Sequence, residues 1–233
     1  MPSLVGSEMC IRDSYNWIQD NIKKVDKATN GKVGYIYIPD MGPEGLNEFS
    51  RYFYPQLDKE GLIIDDRANG GGNVSPMILE RLSREPYRLT MRRGSSLIGT
   101  VPDAVQVGPK VCLINKYSAS DGDLFPWGFR ALSLGKLIGT RTWGGIIGIS
   151  GPLPYMDGTD IRVPFFTSYD PKTGNWIIEN HGVDPDILID NDPIKEWNGE
   201  DQQLDRAIEE VMKQLKERKP LAPVPAPRDW SHK

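Results

Sequence analysis

Chemistry first becomes possible in the stretch Val111 to Phe125, VCLINKYSASDGDLF. An apolar, β-prone run stops at the polar turn Ser118-Ala119-Ser120-Asp121-Gly122. A helical spacing of Leu124, Phe125, Trp127 and Phe129 opens behind it. A strand that turns sharply into a helix can hold a hydroxyl clear of the backbone. The first amides of that helix lack internal partners and point at the same place. Ser120 is therefore a candidate nucleophile, and the Asp121 amide a candidate oxyanion donor. The competing reading is a helix cap. Ser120 with Asp123, and Ser118 with Asp121, both fit the S-x-x-[DE] capping box, in which the serine oxygen accepts an amide hydrogen bond instead of attacking anything.

A second bend of the same kind follows the apolar run Gly61 to Asp65. It reads Asp66-Arg67-Ala68-Asn69-Gly70-Gly71-Gly72-Asn73 and leads into a helix over Val74 to Leu82. A phosphate cradle is excluded: the P-loop needs a Gly-Lys-[Ser/Thr] ending, and the dinucleotide pattern needs a glycine where Ser75 stands. Three successive glycines permit close backbone approach with free amides, or simply a tight turn. Histidine is scarce, with only His181 and His232. His181 lies two residues past Glu179 in a polar loop and qualifies as a base only if it reaches the serine. His232 sits in the C-terminal tail and is no candidate.

The elements that must position these groups alternate. Tyr15 to Ala28 has Trp17, Ile18, Ile22 and Val25 at helical spacing. Val33 to Ile38 reads as a strand closed by Pro39, and Leu46 to Leu57 as a helix with Phe49, Phe53 and Leu57 on one face. Gly61 to Asp65 is a strand of the buried parallel kind. Tyr87 to Met91 reads as a strand, whereas residues 92–109 carry no assignable pattern. After the Val111 strand and the helix to Leu132, Leu137 to Thr140 is another strand. Pro152 to Tyr155 and Asp160 to Pro164 read as a β pair around Asp157-Gly158, followed by an irregular segment to Ile178. A short strand, Ile187 to Ile189, precedes an amphipathic helix over Asp201 to Lys216. Alternating strands and helices give an α/β fold with a mainly parallel sheet. Ligand sites in such sheets lie at the carboxyl ends of strands, where both bends fall.

Length and composition bound the function. The 233 residues suit one large domain, 15–218, with a proline-rich tail, 219–233, expected to be extended or disordered. Residues 1–14 look foreign, because Gly6 to Asp13 resembles the translated sequence of a library adaptor; they are set apart from the fold. Net charge is −4 without a basic patch, which argues against nucleic acid. Two cysteines, Cys10 and Cys112, make no disulfide framework. No run is long enough for a membrane span and no secretory segment follows Met1; a cytoplasmic location is expected, with export the alternative if the native N-terminus lies upstream. No Cys/His spacing of the zinc type appears, so no metal or cofactor is expected.

Five strings in order, Val33-Gly-Tyr-Ile-Tyr-Ile-Pro-Asp-Met-Gly, Asn69-Gly-Gly-Gly, Ser118-Ala-Ser-Asp-Gly-Asp, Gly139-Thr-Arg-Thr-Trp-Gly-Gly and Glu179-Asn-x-Gly-Val-Asp-Pro-Asp, resemble the C-terminal catalytic region of the tricorn proteases. These group with the C-terminal processing peptidases, the S41-type serine peptidases. The resemblance runs from about Tyr15 to about Leu215. It implies a ClpP/crotonase-like ββα core and hydrolysis of peptides through an acyl-enzyme. By position it implies Ser120 as nucleophile, the Asp121 amide and Gly72 or Gly71 as oxyanion donors, and Glu179 as the acid that orients the base. The Ser-Lys branch of the family is departed from, since Trp143-Gly144-Gly145 contains no lysine. The tricorn branch pairs serine with a histidine upstream of the first helix, and no histidine precedes Tyr15. The resemblance thus implies a truncated, weakly active fragment, with PDZ-like and β-propeller domains upstream and a homo-oligomeric full-length protein. A non-catalytic binding or assembly module on the same fold is the alternative.

Overall fold

The computed structural model describes residues 3–92, 94, 97–150, 154–219 and 223–225, with backbone alone for 3–12 and 150. In chain order the elements are α1 (Ser3–Thr29), β1 (Val33–Tyr37), α2 (Pro43–Phe53) with a 3-10 turn at Tyr54–Gln56, β2 (Gly61–Asp65) and α3 (Ser75–Leu82). Next come β3 (Arg88–Met91), β4 (Ile98–Val101), β5 (Lys110–Ile114), α4 (Asp121–Ala131) and β6 (Gly135–Gly139). The remainder is β7 (Gly148–Ser150), β8 (Val163–Phe166), β9 (Ile187–Leu188), α5 (Pro193–Trp197) and α6 (Gln202–Glu217).

Five of the strands form one sheet in the order β1-β2-β5-β6-β9, every neighbouring pair parallel. Period-2 alternation sends successive side chains to opposite faces. Leu62, Ile64, Cys112, Ile114 and Leu137 pack with Phe49, Phe53, Ile78, Phe125 and Phe129, the α2, α3 and α4 layer. Ile63, Val111, Leu113 and Ile138 pack with Val25, Leu204, Ala207 and Val211, the α1 and α6 layer. Burial on both faces is why these strands read as unbroken apolar runs. The exposed edge at β1 is closed by a side chain: Gln56 Oε1 accepts from the Tyr35 N–H and Gln56 Nε2 donates to the Tyr35 carbonyl, both at 3.0 Å.

The α/β architecture is the one expected, and three local readings change. The first helix begins at Ser3 and not at Tyr15. Residues 92–109 include a strand, because β4 pairs antiparallel with β3 from Arg88↔Val101 to Met91↔Ile98. This hairpin is largely exposed and so carries no apolar alternation for a pattern to reveal. The expected β pair at 152–155 and 160–164 lies instead between β7 and β8, Gly148↔Phe166 to Ser150↔Val163, with 151–153 outside the described residues. Asp157-Gly158 turns inside that hairpin, where the Tyr155 N–H donates to the Thr159 carbonyl. Of the proline-rich tail, 220–222 and 226–233, including His232, lie outside the described residues.

Candidate active site

Because β2 and β5 are parallel neighbours, the bends that follow them leave the sheet side by side, with Asp65 opposite Leu113. Hydrogen bonds then join the two bends directly. The Ala119 N–H donates to the Asn69 carbonyl at 2.8 Å, and Ser118 Oγ donates to the Asp66 carbonyl at 2.8 Å. Contact is closest at Gly71, where an added Cβ would stand 2.6 Å from Ser120 Cβ and 2.9 Å from the Asp121 amide nitrogen. The triple-glycine bend therefore backs onto the serine.

Ser120 itself sits at φ 57°, ψ −119°, a left-handed conformation that costs a residue with a side chain about 1–3 kcal/mol. It precedes α4 but makes no side-chain cap hydrogen bond. Neither capping box forms reciprocally. Ser118 Oγ is spent on Asp66. The Asp121 carboxylate accepts from the Ser75 N–H (2.9 Å) and from Ser75 Oγ, tying the start of α4 to the start of α3. Asp123 reaches across to a different loop, accepting from the Gly144 N–H (2.8 Å) and the Gly145 N–H (3.2 Å). The capping spacing accounts for neither tertiary bond, which only the fold reveals. A sequence signal exists in hindsight, since two acids in one helical turn exceed what a single cap uses.

The two glycines proposed as oxyanion donors differ. The Gly71 N–H donates to Asn69 Oδ1 at 2.9 Å and is thereby engaged. Gly72 is held against Met41, with an added Cβ 2.0 Å from the Met41 carbonyl oxygen, and its N–H has no hydrogen-bond partner among the described residues. The Asp121 N–H likewise has none. Glu179 Oε2 accepts from the amides of Ile146 (2.7 Å) and Ile147 (2.9 Å). His181 is exposed, its Nε2 bonded at 2.9 Å to Asp184, which also accepts from Arg141 Nε. No hydrogen bond links His181 to Ser120 or Glu179 among the described residues.

Buried charge surrounds the two bends. Asp66 is fully buried and neither carboxyl oxygen has a partner among the described residues. Burial, then the negative charges of Asp65, Asp123 and Asp121, push its pKa well above the usual carboxylate range. Burial also raises Asp123, against the bonds from Thr142 and from the amides of Gly144, Gly145 and Ser120 that favour its charge. Arg67 uses all five donors on Asp65, Asp201 and Gln203. Burial disfavours its charge, but Asp65 and Asp201 outweigh that and hold its pKa above the ordinary arginine value. A cavity of about 420 Å³ opens beside this network, lined by Trp17, Tyr37, Arg67, Asn115 and Asp201 among others. Burial, then Asp65 and Asp66, push the Tyr37 hydroxyl up to about 12. Among the described residues no group of three or more His, Cys, Asp or Glu is arranged to hold a metal ion.

Comparison with known proteins assigns the family. The sequence model of peptidase family S41 matches residues 32–189. The chain belongs to peptidase family S41. Among S41 relatives, the tricorn protease of Thermoplasma volcanium is 43% identical over 203 residues, covering 87% of this chain and 20% of that protein. The tricorn protease of Thermoplasma acidophilum is 41% identical, covering 86% and 19%. A crystal structure of the tricorn protease superposes with a TM-score of 0.80 at 40% identity, covering 86% of this chain and 19% of that one. The chain thus spans about one fifth of the length of these relatives. No helix among the described residues is long and apolar enough to cross a membrane.

Proposed function

We propose that this chain carries the nucleophile and oxyanion hole of a serine peptidase acting on peptides. The supporting observation is the contact between the glycine bend and the Ser120 turn, with unpaired amides at Gly72 and Asp121 on either side. Ser120 Oγ attacks the peptide carbonyl carbon while its proton passes to a base. The Gly72 and Asp121 N–H groups donate to the oxyanion, each worth on the order of 10²–10³ in rate. Collapse expels the amine, which takes up the proton, and water then hydrolyses the acyl-serine ester. Glu179 orients the base. Among the described residues no histidine or lysine bonds to Ser120, and His181 is committed to Asp184. The base is the one that the resemblance to the tricorn proteases implies, in a longer protein. The upstream domains and the homo-oligomer that the resemblance implies belong to that same longer protein.

The non-catalytic alternative needs Ser120 to be a cap, and it makes no cap bond. The test is phosphonylation by a fluorophosphonate, followed by mass spectrometry of the modified peptide. Slow labelling of Ser120 is expected in this chain, rising about 10²–10⁴-fold when it is part of the longer protein. Equal labelling in both would place the base within the chain. Labelling unaffected by Ser120→Ala would sink the serine-peptidase reading.

A further inference from the structure

Four consecutive amides, 144 to 147, donate to two carboxylates that come from different parts of the chain. Gly144 and Gly145 donate to Asp123 at 2.8 and 3.2 Å. Ile146 and Ile147 donate to Glu179 at 2.7 and 2.9 Å. We propose that Asp123 is a positioning residue, which sets the place of Glu179 relative to Ser120 through the 144–147 turn. This rests on the reading of Ser120 as nucleophile and Glu179 as orienting acid.

The geometry favours a mechanical link. Asp123 lies in the first turn of α4, three residues past Ser120, and is fully buried; the Thr142 side chain and the Ser120 amide hold its carboxylate together with the amides of Gly144 and Gly145. Its α4 backbone is fixed to the same turn as the serine: the Asp123 N–H donates to the Ser120 carbonyl at 2.9 Å. The turn it grips is bonded to the serine bend a second time, the Trp143 N–H donating to the Ser118 carbonyl at 2.9 Å. The residue Asp123 grips also holds the Glu179 segment directly, the Asn180 N–H donating to the Gly144 carbonyl at 2.7 Å. Ser120 and Glu179 are thus connected by one short chain of main-chain bonds and of four charge-assisted ones, buried at Asp123 and Gly144 and reaching the surface at Ile147; the charge-assisted bonds are stronger and shorter than neutral ones. Releasing Asp123 frees the turn, and Glu179 moves with it.

The experiment uses the longer protein that supplies the base, in which labelling of Ser120 is fast, and the variants Asp123→Asn, Glu179→Gln and both together, with Ser120→Ala as the zero. Asp123→Ser, which leaves room for water to take up the freed amides, replaces Asp123→Asn if that variant does not fold. Two quantities are read: hydrogen exchange at amides 144–147, and the fluorophosphonate reaction split into probe affinity and maximal rate. Asp123→Asn should speed exchange at 146 and 147, which Asp123 does not touch, as well as at 144 and 145. It should slow the maximal reaction rate about 10–100-fold at unchanged probe affinity. The double variant should be no slower than the worse single one, the non-additivity expected of residues acting as one unit. Unchanged protection at 146 and 147, or multiplying rate effects, would overturn the proposal. If Ser120→Ala is labelled like the parent, the nucleophile reading falls by itself, and the exchange data still decide whether Asp123 controls the Glu179 turn.

Discussion

Gly70 and Gly71 are neighbours in one loop, yet alanine should be harmless at the first and damaging at the second. At Gly71, φ is +94°, and an added Cβ would stand 2.6 Å from Ser120 Cβ, 2.8 Å from the Ala119 carbonyl oxygen and 2.9 Å from the Asp121 nitrogen. The left-handed backbone costs an alanine about 1–2 kcal/mol. Forcing packed main chain apart costs about 1–3 kcal/mol more. Gly71→Ala should therefore lose about 2–5 kcal/mol, a fall in melting temperature on the order of 4–20 °C for a chain of this size. At Gly70 nothing lies within 4 Å, and its φ is not among the left-handed ones. Gly70→Ala should be neutral, or stabilising by up to about 1 kcal/mol through the unfolded chain. Thermal unfolding followed by circular dichroism reads both. The displaced atoms in Gly71→Ala are the serine bend itself, so fluorophosphonate labelling of Ser120 should fall as well. Equal melting temperatures for the two variants would refute the stacking of these bends, and with it the oxyanion geometry.

Three further outcomes concern Asp66, Ser120 and Arg67. Asp66 is neutral in the fold and ionised when unfolded over the window from the usual carboxylate pKa up to its own raised value. Folding takes up a proton there, so the parent loses stability as pH rises, by at most about 1.4 kcal/mol per pH unit. Asp66→Asn removes that loss, and its stability advantage should grow with pH above about 4 in urea titrations; a pH-independent difference would contradict this. Ser120→Gly should raise stability by about 1–3 kcal/mol by relieving the left-handed backbone while abolishing labelling, the opposite sign from loss of a cap. Arg67→Met leaves Asp65, buried at 0% exposure, without its cation and should cost about 3–5 kcal/mol in urea unfolding; a loss below about 1 kcal/mol would show that the charge network is dispensable.

How much was legible depended on burial. β2 and β5 were readable because both faces are covered and the runs Gly61–Asp65 and Lys110–Ile114 are buried at every position. β4 and the true β7–β8 register were not, because those strands are largely exposed and held by main-chain bonds that any side chains permit. Ser120 and the glycine bend stood out as breaks in apolar runs. The tertiary bonds of the Asp121 and Asp123 carboxylates did not, since a helix cap and a long-range clamp use the same residue types at the same spacing.

Local composition alone determined that there are two strand-end bends, one with a hydroxyl and one with three glycines, and that histidine is too scarce to supply an obvious base. Local forces act over a few residues, and that much is written in a few residues. That the bends meet, that Gly72 and not Gly71 keeps its amide unpaired, and that Asp66 is buried without a partner were decided by the packing of β2 beside β5. Those outcomes depend on contacts between segments far apart in the chain, and no local pattern encodes which of two neighbouring amides a distant side chain will take.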